Sequence, residues 1–244
     1  MTDGFDDRVR ARIGFTSVAY VTETFPQVFY EIVPKGVRLC LMMSQLTQST
    51  PDEMKRIHQE TLSHARAFAR AKCDVIFLGG APTNLSHGWE SLRQRLAELQ
   101  TEFGAPVTSN ATAQLNAFRA LGAKNVGVVN PYGSHRVGQH DKHLKEAGLN
   151  PCGEAWAGAT VEDYHLIPKR TAYDLGLALK QKHPEIDTIF YSCPHWNVVD
   201  AAEPLERELG VNVLPSITAI IWEGLRLAGV EDRIDGYGKL LREH

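Results

Sequence analysis

Two stretches of this chain follow one template. Residues 73–84 read CDVIFLGGAPTN and residues 186–197 read IDTIFYSCPHWN. Asp74 aligns with Asp187, Ile76 with Ile189, Phe77 with Phe190, and Asn84 with Asn197. A second pair follows in the same order, FGAPVTSNATA (103–113) and LGVNVLPSITA (209–219). The period is too long for a solenoid repeat, so the pattern predicts two α/β halves of one design. Each half expects a site beyond the carboxyl ends of its strands. Two halves facing each other would share one.

Apolar runs of strand length alternate with longer amphipathic segments. Strands are predicted at 12–18, 37–42, 74–78, 106–108, 125–129, 153–157, 188–191 and 212–214. Helices are predicted at 51–71, 89–102, 111–121, 137–146, 170–183, 201–209 and 218–228. Ser49 or Thr50 should cap the first helix, with Pro51 in its first turn. Gly122, Gly148 and Gly229 follow later helices as stop signals. Nearly all-apolar strands alternating with helices predict parallel sheets covered on both faces. The halves are placed at residues 1–114 plus 217–244 and at 115–216.

Composition narrows the function classes. Of 244 residues, 43% are hydrophobic and 23% charged, which excludes a disordered or fibrous chain. The net charge of −3 argues against a nucleic-acid surface. No apolar run approaches a membrane span, and residues 1–12 do not read as a secretory signal. The four cysteines, Cys40, Cys73, Cys152 and Cys193, form no CxxC pair, so free thiols in a reduced cytoplasm are expected. No histidine–carboxylate cluster or phosphate loop suggests a metal or nucleotide, so no cofactor is expected. Self-association is compatible with the sequence.

A lone cysteine at a strand end is usually a small buried hydrophobe. Cys40 lies within a predicted strand, Cys73 precedes one, and Cys152 falls in a predicted loop. Cys193 alone follows a strand at its carboxyl end. The matching position in the first half is Gly80. Gly79-Gly80 permits a tight turn and close backbone approach. His195, two residues past Cys193, either faces solvent, or lowers the thiol pKa or donates to a carboxylate. His87 and His135 are weaker versions of it. Trp89 and Trp196 could line an aromatic pocket, although packing is their more common role. Asn84 and Asn197 read as helix caps.

The duplicated halves, LGGAPTNLSHG (78–88), SNATAQLNAFRALGAKNVGVVNPY (109–132), YSC (191–193) and ERELGVNVLPS with EGLRLAGV and DGYGKLL near the end carry a resemblance. From Arg12 to about Leu241 the chain resembles the aspartate/glutamate racemase superfamily, and within it the arylmalonate decarboxylase and maleate isomerase branch. The resemblance implies two Rossmann-like, flavodoxin-like halves related by a pseudo-twofold axis, with the active site between them. Racemases of this superfamily use one cysteine from each half, and maleate isomerases need the first-half cysteine as a nucleophile. The arylmalonate decarboxylases resemble this chain in having glycine in the first half and cysteine in the second.

The implied reaction is cofactor-free decarboxylation of a substituted malonate. Loss of CO₂ leaves an enediolate, which Cys193 protonates on one face. The resemblance places substrate contacts at Gly80, Ala81, Pro82, Tyr132 and Pro194, and Thr83 and His195 are read beside them as replacements for the donors this chain lacks. Ser17 and Thr22 lie near the first strand–helix loop, where the family also draws carboxylate contacts. The chain departs from the family at the enediolate cradle. Ala81 and Pro82 replace two hydroxyl residues, and Pro194 has no N–H to donate. Two alternatives follow. One is an isomerase or racemase with a non-cysteine second group, such as His87, Thr83 or water. The other is an inactive relative that binds a metabolite.

Overall fold

The computed structural model describes residues 8–19, 21–47, 50–133, 137–160 and 162–244, with the side chain of Pro82 outside that set. Two four-stranded parallel sheets form. One holds β1 (Ala11–Ser17), β2 (Val37–Met43), β3 (Val75–Leu78) and β4 (Val107–Ser109) in the order β2-β1-β3-β4. The other holds β5 (Asn125–Asn130), β6 (Asn150–Trp156), β7 (Thr188–Tyr191) and β8 (Asn212–Pro215) in the order β6-β5-β7-β8. The order is the same in both, as the repeat requires. The registers repeat too: Phe77 pairs with Thr108, and its counterpart Phe190 pairs with Leu214.

The repeated aspartates have one job. The Asp74 carboxylate accepts the Arg12 N–H at 2.7 Å, and the Asp74 N–H donates to Arg12 O at 2.8 Å. Asp187 accepts the Asn125 N–H at 2.8 Å and donates its own to Asn125 O at 3.0 Å. Each aspartate ties the start of a central strand to the start of its neighbour. This satisfies amides that open a sheet.

Long helices cover the sheets: α2 (Pro51–Arg70), α4 (Gly88–Phe103), α5 (Asn110–Ala120), α7 (Lys169–Lys182), α8 (Ala202–Leu209) and α9 (Ser216–Leu227). Thr50 caps α2 by accepting the Glu53 N–H, with Pro51 next to it; Ser49 lies outside the described residues. The two helices that follow the last strand of each half pack together and cross over. Ile217, Ile220, Ile221 and Leu225 of α9 join Ile13, Phe15 and Phe77 of the first sheet in one core. Ala117 and Phe118 of α5 join Val126, Val128 and Phe190 of the second. Each sheet therefore needs a helix that follows the other sheet's final strand.

Several elements differ from expectation. Helix α1 (Thr24–Ile32) was not predicted. Pro26 reads as a breaker but sits in the first turn, where its missing N–H has no helical partner to lose. Phe25, Val28, Phe29 and Ile32 form its buried stripe. The short α3 (Ala81–Asn84) and α10 (Lys239–Glu243) were also unpredicted. The helix expected over 137–146 is only α6 (Asp141–Glu146); residues 137–140 are turns, and Gly138 has φ +72°. Strand β6 starts earlier than expected, so Cys152 lies in a strand and not a loop. No described helix is long and apolar enough to cross a membrane.

At the end of β1 the backbone meets the loop after β3. The Gly79 N–H donates to Thr16 Oγ1 at 2.8 Å, and a Cβ on Gly79 would stand 1.8 Å from Thr16 O. Only glycine fits there. Gly79→Ala should lower unfolding free energy by about 3 kcal/mol. Thermal denaturation should show a fall of at least ~6 °C; an unchanged midpoint contradicts the contact.

Candidate active site

The carboxyl ends of both sheets open into one cavity of about 670 Å³. Its walls include the β1–α1 loop (Ser17 to Ala19 and Val21 to Glu23), the β3–α3 loop (Gly80, Ala81, Thr83), α5 (Asn110, Gln114), the loop after β5 (Tyr132) and the loop after β7 (Ser192 to His195). Cys193 and Gly80 thus face the same space, as the repeat predicts. Ala81, Thr83, Tyr132, Pro194 and His195 line it with them.

On the first-half side the turn is built around Gly80, at φ +81°. Asn84 Nδ2 donates to Leu78 O at 2.8 Å and to Gly79 O at 3.0 Å. Asn84 therefore pins the turn and does not cap a helix, which corrects its expected role. A Cβ on Gly80 would lie 2.9 Å from Val18 Cγ1 and 3.5 Å from Thr83 Oγ1. Val18 fills the place where a first-half side chain would begin. The Thr83 hydroxyl is the polar group nearest that place.

On the second-half side the Cys193 loop is clamped at each end. The Tyr191 side chain is fully buried, and its hydroxyl donates to Ala172 O at 2.7 Å. Trp196 is also buried and meets Tyr191 edge-on, with ring centroids 5.9 Å apart. Ser192 Oγ donates to Asn130 Oδ1 at 2.6 Å, and its N–H donates to Val129 O at 3.1 Å. Between these anchors Cys193 is only 4% exposed. It is a cavity-lining thiol held on a rigid loop.

His195 reaches across to the first half. Its Nδ1 lies 2.9 Å from Thr22 Oγ1 and its Nε2 lies 3.1 Å from Ser17 Oγ. The ring packs 5.9 Å from Phe25. Burial alone pushes its pKa down to about 4. His195 is therefore neutral near pH 7, and this corrects two expectations. It neither faces solvent nor supplies a cation to lower the thiol pKa. A neutral imidazole donates from one nitrogen and accepts at the other. Thr22 Oγ1 already accepts the Phe25 N–H at 3.3 Å, and Ser17 Oγ accepts the Ala19 N–H at 3.1 Å.

A second polar group was not foreseen. His140 Nε2 lies 3.2 Å from Asn130 Oδ1, the atom that also receives Ser192. The Gln139 amide is 2.9 Å from the same nitrogen. Burial, with a smaller effect from His143, pushes His140 down to about 4. Asn130 sits directly before Pro131-Tyr132, so the quoted motif held the signal. His140 lies in a stretch read as plain helix, which hid it. Asn110 and Gln114, one turn apart on α5, also face the cavity, and nothing in the local stretch SNATAQ marks them. Asn110 Oδ1 is buried without a hydrogen-bond partner.

The remaining sequence candidates fall elsewhere. Trp196 is core, and Trp89 donates from Nε1 to His143 O at 3.1 Å, so neither lines the cavity. His87 precedes α4 and also lies off the cavity. His135 and the side chain of Pro82 lie outside the described residues. Asn197 Oδ1 has no partner and caps no helix. Tyr132 packs edge-on against Tyr164 at 5.7 Å. Cys40 is half-buried in β2, and burial, with Cys40 beside it, pushes Cys73 up to about 12.

The depressed histidines tie stability to pH. The folded-state pKa of His195 lies below its value in the unfolded chain, so the folded state resists protonation. The stability it contributes is complete above about pH 6.5 and is lost as pH falls toward 4. Lowering pH from 7 to 5 should remove about 2 kcal/mol through this one group. In urea titrations at both pH values, His195→Gln should shrink the pH-dependent difference by that amount. An unchanged difference would show that the imidazole titrates normally.

Comparison with known proteins agrees with this geometry. A family model described as arylmalonate decarboxylase matches residues 30–241. Arylmalonate decarboxylase of Bordetella bronchiseptica is 30% identical over 196 residues, 80% of this chain and 82% of its own. Maleate isomerase of Geobacillus stearothermophilus is 24% identical over 199 residues, 79% of this chain and 78% of its own. A solved structure of unliganded arylmalonate decarboxylase superposes with a TM-score of 0.83 at 26% identity, covering 96% of this chain and 100% of that one. Nocardia farcinica maleate cis-trans isomerase, in a mutant carrying a covalently bound succinylcysteine intermediate, shares the fold. It gives a TM-score of 0.82 at 20% identity, covering 96% of this chain and 99% of that one. The protein is an enzyme of the decarboxylase and isomerase type, and its chain belongs to the arylmalonate decarboxylase family.

Proposed function

We propose that the protein decarboxylates a substituted malonate without a cofactor, and that Cys193 protonates the product on one face. The observation that carries this reading is the asymmetry of the cavity. A buried thiol lines the second-half side, and Gly80 backed by Val18 stands at the matching place. A racemase needs a donor on both sides, and an isomerase needs a first-half nucleophile. A decarboxylase needs one acid.

The step balances simply. The bond from the α-carbon to one carboxylate breaks, CO₂ leaves, and the electron pair spreads into the remaining carboxylate as an enediolate. The Cys193 S–H proton bonds to the α-carbon. Water returns a proton to the thiolate. The protein must stabilise the enediolate charge in a site with little water, where aligned neutral donors are effective. The side chain of Ala81 brings no such donor, and Pro194 has no N–H. We assign the task to hydroxyls that do line the cavity: Thr83, Tyr132 and Ser17.

His195 completes this arrangement. With Nε2 protonated, the imidazole donates to Ser17 Oγ and accepts from the Thr22 hydroxyl at Nδ1. Ser17 Oγ then receives two hydrogen bonds, from His195 and from the Ala19 N–H. Its own proton is left to point into the cavity. Ser17 would be the donor that touches substrate, and His195 the positioning residue behind it. The division of the chain at 114/115 and 216/217, a reduced cytoplasmic setting and a substrate that is a small carboxylate belong to the same reading. Self-association is compatible with it and is read by sedimentation velocity.

Removing one oxyanion donor typically costs about 100-fold or more in kcat. Ser17→Ala should therefore lower kcat about 100-fold. His195→Ala should cost a similar factor, and the double variant little more, since both act through one proton. Multiplying losses would mean that the two residues work separately. The reaction itself is read by proton NMR in D₂O with substituted malonates, maleate and D- and L-amino acids. Malonate loss with one deuteron gained at the α-carbon, absent in Cys193→Ala, is expected. Maleate becoming fumarate, or α-proton exchange without CO₂ loss, would replace this reading with an isomerase or racemase. A carboxylate that protects Cys193 from alkylation but is never turned over would mark a binding protein.

A further inference from the structure

The cavity has a second neutral histidine, and the proposed reaction passes no proton through it. His140 stands on the second-half side, in the turn that leads into α6. Its side chain is half-buried. Burial pushes its pKa down to about 4, so the ring is uncharged near pH 7.

The contacts of His140 converge on the foot of the Cys193 loop. Its Nε2 lies 3.2 Å from Asn130 Oδ1. Asn130 is the last residue of β5 and is buried. The same Oδ1 receives the Ser192 hydroxyl at 2.6 Å, and Ser192 directly precedes the thiol. The His140 ring also meets Phe190 of β7 edge-on, with centroids 6.1 Å apart. His140 therefore bridges the ends of the two strands from which the thiol is presented.

The partners select the tautomer. An amide oxygen has two lone pairs. One takes the Ser192 proton, and the other takes a proton on His140 Nε2. The Gln139 amide lies 2.9 Å from the same nitrogen, and its oxygen is the end that suits a protonated Nε2. Asn130 Nδ2 is buried without a hydrogen-bond partner among the described residues. The orientation of the Asn130 amide thus rests on two donors, Ser192 and His140. An amide held by Ser192 alone can turn with the loop it is meant to anchor. A second donor, from a different element, fixes it.

We propose that His140 is a positioning residue for the Cys193 thiol, acting through Asn130 Oδ1 and the Ser192 hydroxyl. It fixes the angle at which the loop offers the S–H. For its effect on turnover the assignment rests on the proposed decarboxylation with Cys193 as acid. For the posture of the thiol it rests on the contacts alone.

The first readout needs no turnover. Iodoacetamide alkylates cysteine, and mass spectrometry of the peptide that contains Cys193 reads this thiol apart from the other three. The thiol is 4% exposed, so the reagent reaches it faster when the loop loosens. His140→Ala should raise the alkylation rate about fivefold, the factor carried by one hydrogen bond of ordinary strength. His140→Leu, which keeps an apolar contact with Phe190, should behave the same and stands in if the alanine variant does not fold. His140→Gln, whose amide N–H reaches the place of Nε2, should react at the wild-type rate. A wild-type rate in the alanine or leucine variant, or a glutamine variant as fast as they are, overturns the proposal. Adding Ser192→Ala to His140→Ala should give no faster reaction than Ser192→Ala alone, because both side chains act through one oxygen. Factors that multiply overturn the shared route.

The second readout is turnover of a substituted malonate. His140→Ala should lower kcat about tenfold or more, as misplacing a reacting group does. KM should stay within about twofold of the wild-type value, and His140→Gln should restore kcat. A raised KM at unchanged kcat would mean that His140 binds substrate and does not place the acid, and overturns the proposal. If the wild type turns over no malonate, the decarboxylase reading fails while the alkylation rates still decide the role of His140.

Discussion

A neutral, half-buried imidazole between two hydroxyls holds the site together. His195 belongs to the loop that carries Cys193, and Ser17 and Thr22 belong to the first loop of the opposite half. That contact ties the thiol-bearing loop to the wall that faces it. Burial keeps the ring uncharged, so each ring nitrogen has a definite duty toward one hydroxyl.

The duplication explains why a single acid is available. Both halves place a strand, a tight loop and a helix at the cavity, and the same aspartate ties the strands in each. The loops then diverged. In one, Trp196, Tyr191 and Ser192 brace a cysteine. In the other, a left-handed glycine is pinned by Asn84, and a Cβ there would press on the Val18 side chain. Symmetry in the framework and asymmetry in the loops together make the cavity one-sided. The exchange of α5 and α9 between the sheets fixes the two loops across from each other.

Much of this was legible in the residues. The repeat CDVIFLGGAPTN and IDTIFYSCPHWN foretold two sheets of one order and a cavity shared by Gly80 and Cys193. What stayed hidden depends on tertiary contact. The role of His195 was unreadable because its partners, Ser17 and Thr22, lie in a loop far away in the chain. The cap expected of Asn84 failed because its amide is spent on the carbonyls at the end of β3, and Asn197 Oδ1 takes no partner at all. Helix α1 was missed because Pro26 reads as a breaker except in a first turn. His140 escaped because an isolated histidine in a helical pattern carries no sign of the Asn130 that meets it.

The central claim is that one thiol, on one side, delivers the proton. The most direct test is the handedness of the product formed from a malonate with two different α-substituents. With Cys193 as the sole acid and Gly80 opposite it, chiral chromatography should show one enantiomer in large excess. A racemic product from the wild-type enzyme would contradict the account, because it would require protonation from both faces of the enediolate.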